Sequence, residues 1–210
     1  MFSILFVLIS RTPLLLLKAT SYIFYIIAFL FKTSQLNVTE KNIKHCFSYD
    51  KKLIRKSLRE TVELSLLFPF VWGRSDNYKK LIDSDYLEEK SLENGRPKLF
   101  FTLHMGCVDI LIFVLSELLS QIDVLYTPVK NKTLETNLLK VRQRQGAKMF
   151  PATTNGFKYL LKNFFNKNNI LIASDLVPHK RGVYEQFFNK ECLCIDPVSY
   201  THLRAHETYV

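Results

Sequence analysis

Three features of the sequence predict an α/β fold, with a mainly parallel sheet flanked by helices and preceded by an apolar amino-terminal helix and an amphipathic helical segment. From residue 99 short apolar runs alternate with stretches of helical periodicity, as expected for parallel strands joined by helical crossovers. Residues 1–32 are apolar and nearly uncharged. Residues 33–98 carry their apolar side chains at helical spacing. The expected organisation is a membrane anchor over 1–32, a helical segment over 33–98, an α/β core over 99–195 and a tail over 196–210.

Leu14 to Phe31 is interrupted only by Lys18. As a helix it is roughly 27 Å long, slightly short of a ~30 Å hydrocarbon core. Lys18 can snorkel, and Tyr22 and Tyr25 suit a membrane interface. Spanning and interfacial attachment are both open at this point. Lys32, Lys41, Lys44, Lys51 and Lys52 follow closely, and basic residues beside a membrane segment place the downstream chain in the cytoplasm. Within 33–98, Thr39–Asn42 is expected to cap a short helix. Leu53, Ile54, Leu58, Val62, Leu66 and Leu67 mark a longer one over Lys51–Phe68. The apolar run Leu66–Trp72 reads as core, with a surface that dips into lipid or lines an acyl chain as the sharper alternative.

The centre of the chain is Lys98–Leu111, where an apolar run ends at His104, a Met-Gly turn follows, and Asp109 opens a second apolar run. This predicts a buried strand, a tight turn and a helix start. The carboxyl end of such a strand is where open α/β sheets place their chemistry. Asp109 in a first helical turn is favoured by the helix dipole and suits an imidazole partner, so the pair reads as a histidine base and its orienting acid. A histidine in a structural strand-end role is the plainer alternative. The spacing is cheap: His45 and Asp50 repeat it in a polar stretch and read as solvated.

The expected elements continue as helix Asp109–Ser120, strand Ile122–Tyr126, helix Asn131–Gln145 with Gly146 as its C′ residue, and strand Lys148–Pro151. Helix Thr153–Lys167 and strand Ile170–Ser174 complete the series, the last ending at Asp175. Asp175 thus stands at a strand's carboxyl end, on the rim expected for His104. Glycine-rich phosphate loops, G-x-S-x-G elbows and H-E-x-x-H pairs are absent, which removes nucleotide-dependent, serine-hydrolase and zinc-protease readings. The four cysteines form no metal spacing, and neither a metal nor a cofactor is expected. A net charge of +10, from 29 Lys and Arg against 19 Asp and Glu, favours an anionic partner. Nucleic acid is not expected, since no zinc, RNA-binding or helix-turn-helix pattern occurs.

Four blocks in order resemble the late acyltransferases of lipid A biosynthesis, the lauroyl/myristoyl transferases of Gram-negative bacteria. They are Asn42–Phe47, similar to the N-l-x-x-C-F-P segment; His104–Asp109, similar to H-x-G-x-W-E; Arg142–Ala147, similar to R-x-R-x-G-A; and Ile172–Pro178 with Gly182–Phe188, similar to D-Q-x-P followed by G-V-F-x-x-F-F. Asp109 stands for the usual Glu, Val108 for Trp and Leu176 for Gln, while the F-x-E-G-T-R block of glycerophospholipid acyltransferases is absent. The resemblance implies a membrane-bound transferase at the cytoplasmic face of the inner membrane. It would move an acyl chain from an acyl carrier protein thioester to a hydroxyl of a lipid A precursor. His104 would be the base oriented by Asp109, with no covalent acyl-enzyme. Arg142 and Arg144 are candidates for a phosphate of the acceptor or the oxyanion, and Asp175 for holding the site together. Lys180 and Arg181 are candidates for anionic lipid or the carrier protein. A related transferase on another glycolipid, or a non-catalytic membrane-anchored binding module, are the alternatives. The resemblance ends near Cys194, so the chain is expected to be part of a longer domain, with 196–210 foreign to it.

Overall fold

A computed structural model describes residues 2–83, 96–119, 121–175 and 182–194. Lys180, Arg181 and the expected tail at 196–210 lie outside the described residues. The chain divides into two compact units, Met1–Asn77 and Tyr78–Val210.

The first unit is helical. Helices α1 (Phe2–Arg11) and α2 (Leu14–Leu30) are separated at Thr12–Pro13. Pro13 has no N–H to continue α1 and holds an extended ψ of 141°. Its carbonyl then accepts from Leu17 N–H at 3.0 Å to start α2. The apolar run expected from Leu14 is therefore a helix, but α1 before it is a distinct element. Helix α3 spans Ser34–Cys46, starting before the cap expected at Thr39. Helix α4 spans Lys51–Gly73 and is capped by Asp50, whose Oδ1 accepts from Lys52 N–H at 2.8 Å and Leu53 N–H at 3.1 Å. That cap is the role of the acid in the His45–Asp50 repeat, and His45 is exposed.

Helix α4 passes through Pro69, beyond the stop expected at Phe68. A proline costs a helix one hydrogen bond and a clash with the preceding turn. Burial of Phe70 and Val71 just after it offsets that cost. Helix α1 packs across this end of α4, with Phe6 and Trp72 rings 5.8 Å apart. A β-carbon at Gly73 would collide with Ser10. Asn77 Nδ2 ties the two together by donating to the carbonyls of Ser10 (2.7 Å) and Phe70 (2.8 Å). Ala28, Leu36, Ile54 and Leu58 form the core shared by α2, α3 and α4. Among the described residues no single helix is long and apolar enough to cross a membrane; α2 and α3, which qualify only together, are bent by 79°.

The second unit is the α/β part. After a 3₁₀ turn at Asn77–Leu81 come β1 (Leu99–Thr102), α5 (Val108–Leu118), β2 (Ile122–Tyr126), α6 (Lys132–Gln143), β3 (Lys148–Pro151), α7 (Thr154–Phe165) and β4 (Asn169–Ala173). The four strands form a parallel sheet in the order β1-β4-β2-β3. A hairpin of β5 (Val183–Phe187) and β6 (Lys190–Cys194) follows. Central strands β2 and β4 are the buried ones. Strand β1, expected to be buried, lies at the sheet edge with Leu99 and Phe101 exposed. Gly146 carries a φ of +99° just past α6, a conformation that favours glycine.

Two buried polar residues fix the amino ends of the strands. Asp123, fully buried on β2, accepts at Oδ2 from Asn163 (2.7 Å) and Asn168 (3.1 Å), which pins the end of α7. Asn169 accepts from Lys98 N–H at 3.0 Å and donates to the Gln121 carbonyl at 3.0 Å, which sets β1, β4 and β2 at a common level.

Candidate active site

Strands β1 and β4 are adjacent and parallel with a register offset of 71 residues, Thr102 lying opposite Ala173. The ladder runs one step further, where Ser174 N–H donates to the Thr102 carbonyl at 2.9 Å. Continuing the same offset brings residue 104 to residue 175. The Asp175 carboxylate accepts from His104 N–H at Oδ2 (2.6 Å) and meets the imidazole Nδ1 at Oδ1 (2.8 Å). The sheet's carboxyl rim thus joins two residues that are far apart in the chain. Burial opposes ionisation of Asp175, but the backbone and ring hydrogen bonds from His104 outweigh it and hold the carboxyl below its usual range. An ionised Asp175 only accepts, which assigns the proton to Nδ1 and leaves Nε2 with its lone pair. Nε2 has no partner among the described residues, and the His104 side chain is 47% exposed.

Asp109 lies in the first turn of α5, as expected, and is wholly buried. Its Oδ1 accepts from Arg142 Nε at 2.6 Å, a contact between the start of α5 and the last turn of α6. The structure thus gives His104 Nδ1 to Asp175, where the sequence reading gave it to Asp109. The reason is topological: the helical turn carries Asp109 inward under α6, while the parallel ladder delivers Asp175 to the ring. Arg144, just past α6, stacks its guanidinium over the Phe113 ring with Cζ 4.8 Å from the centroid. Burial first, and then the negative charge of Asp109, push the Cys107 thiol up to about 11. A thiol so rarely ionised at neutral pH is a poor nucleophile.

The sequence reading missed Tyr126 and Glu135. Tyr126, at the carboxyl end of β2, donates to Glu135 Oε1 of α6 at 2.9 Å. Burial and then Glu135 push its hydroxyl up to about 12, so it stays a donor and clamps α6 to the rim. The signal was present in an apolar strand ending in Tyr and a helix with an acid in its first turn. A cavity of about 420 Å³ lined by residues including Ser34, Val38, Ser57 and Thr61 lies in the helical unit and holds none of these groups.

The family model described as bacterial lipid A biosynthesis acyltransferase matches residues 3–208. The chain belongs to this family. The match runs through both structural units and past Cys194, into the stretch that the sequence reading set apart. A comparison with curated proteins returns no match.

Proposed function

We propose that this acyltransferase moves a fatty acyl chain from an acyl carrier protein thioester to a hydroxyl of a lipid A precursor, with His104 as general base. The observation that carries it is the imidazole held at Nδ1 by Asp175 with Nε2 open at the sheet rim. In this mechanism Nε2 takes the proton of the acceptor hydroxyl as its oxygen attacks the thioester carbonyl. The tetrahedral intermediate collapses, the C–S bond breaks, and the imidazolium returns the proton to the departing thiolate. The donor is already activated, so neither a covalent acyl-enzyme nor a further cofactor is required. Cys107, with its raised thiol pKa, has no part in the chemistry.

Asp109 acts here as the brace for Arg142, whose side chain is one-quarter exposed and whose guanidinium carries further N–H donors for a phosphate of the acceptor or for the oxyanion. Arg144 adds positive charge at the same helix end. Lys180 and Arg181 follow Asp175 in sequence and are assigned to anionic lipid or the carrier protein. The enzyme works at the inner membrane from the cytoplasmic side, a placement supported by the apolar amino terminus and the lysines that follow it. The test is incubation of membranes carrying the protein with acyl carrier protein thioesters and a lipid A precursor, read by mass spectrometry. A product heavier by one acyl group supports the assignment, and its absence with folded protein refutes it.

A further inference from the structure

Helix α2 has two unlike faces. Leu17, Ser21 and Ala28 are buried toward its helical neighbours. On the far side Leu15, Leu16, Tyr22, Ile23, Phe24, Ile26, Ile27, Leu30 and Phe31 are all exposed, Leu15 at 82% and Phe31 at 77%. At 100° per residue these positions sweep roughly 200° of the helix circumference along its whole length. Ile4, Val7 and Leu8 of α1 add exposed apolar surface before the break at Pro13. No acid occurs before Glu40, while Arg11, Lys18 and Lys32 are exposed around this face.

The charges of α4 fix how such a face can meet lipid. Arg59 lies over the ring of Tyr22 at 6.0 Å and Arg55 over that of Phe29 at 5.1 Å. Tyr22 is the midpoint of α2 (Leu14–Leu30). Were α2 to span a bilayer, Arg59 would lie beside its centre, with Glu60 close behind on an exposed turn. Placing charges at that depth is among the most costly arrangements in a membrane. With α2 lying in the plane of the surface, its apolar face enters the acyl region and α4 stays on the water side. Arg11, Lys18 and Lys32 then reach anionic headgroups. A second copy of the chain is a poorer occupant, because it would bring the same positive charges to the same edge.

We propose that the α1–α2 pair is an in-plane membrane anchor, docking its outward face into one leaflet of an anionic phospholipid surface without crossing it. This rests on the membrane association proposed above and goes beyond it in naming the geometry. The test uses the full chain on vesicles of phosphatidylethanolamine and phosphatidylglycerol. In a Trp72→Phe background, Leu16→Trp, Ile23→Trp and Leu30→Trp are compared for quenching by lipids brominated near the headgroup or near the methyl end of the acyl chain. All three should be quenched more by the shallow label, and within about twofold of one another, as for a helix at uniform depth. Strongest deep quenching at Ile23→Trp with weak deep quenching at the other two would mean a spanning helix and overturn the proposal. Quenching at none of them while the protein floats with vesicles would place the contact elsewhere and overturn it too.

The unmodified chain supplies an independent measurement. Lys18 and Lys32 should both react with an impermeant amine reagent from the side to which protein was added, and protection of one alone refutes the in-plane geometry. Failure to float at all refutes membrane docking, while acyl transfer is judged separately by mass spectrometry.

Discussion

Replacing Asp175 by Asn tests the rim pairing against the local H-x4-D pairing, because the two carboxylates sit in different surroundings. Asp175 is one-third exposed and touches His104 at two points, 2.6 and 2.8 Å. Asp175→Asn keeps the shape but puts a neutral amide in place of the carboxylate, so neither the Nδ1–H tautomer nor the developing imidazolium is favoured. Loss of a buried orienting acid costs up to about 10⁴ in turnover. Solvent around this half-open pair reduces that, and a fall of about 10²–10³, or about 2.7–4.1 kcal/mol of barrier, is expected. Stability should change little, since water can reach both partners. Asp109 is wholly buried against Arg142. Asp109→Asn leaves the guanidinium facing a neutral amide, and breaking such a pair costs about 3–5 kcal/mol of folding stability. Steady-state acyl transfer and thermal unfolding of both variants decide the matter. A D175N rate within a few fold of the parent, together with a D109N rate that collapses at unchanged stability, would refute the assignment and restore Asp109 as the orienting acid.

Asp175 also sets an acid limb on stability. A carboxyl whose folded pKa lies below its usual 3.8 binds fewer protons when folded. Its contribution is complete above that value and is lost as pH falls through the folded pKa, so D175N should flatten this part of an acid-unfolding curve. Cys107→Ala should keep acyl transfer within a few fold, and an inactive but folded variant would make the thiol a participant. Asp123→Ala removes the acceptor shared by the half-buried Asn163 and Asn168 amides and should cost about 1–2 kcal/mol by denaturant unfolding; a change below about 0.5 kcal/mol would mean that Asp123 does not hold α7.

Local signals account for what the sequence made readable. Strands Ile122–Tyr126 and Lys148–Pro151 were found with these bounds because each is a short run flanked by turn or helix-start residues. The helix ending near Gly146 was found because only glycine suits that φ. Pairings across the chain were not readable. The sheet order β1-β4-β2-β3 brings the first and last strands of the parallel set together; the alternation of strands and helices put Asp175 on the rim expected for His104, but nothing near His104 singles it out, 71 residues away, as the carboxylate on Nδ1. Asp109 was the nearer partner in sequence and lies instead against Arg142. The passage of α4 through Pro69 was hidden too, because packing on α1 overrides the local preference to stop.

The most direct test of the central claim is the paired measurement of acyl transfer by His104→Ala and His45→Ala. Membranes carrying either variant receive the same thioester and lipid A precursor, and product is quantified by mass spectrometry. Loss of transfer in H104A, with H45A within a few fold of the parent, is the predicted result. A folded H104A that still acylates the precursor at the parental rate would contradict the assignment of His104 as the base.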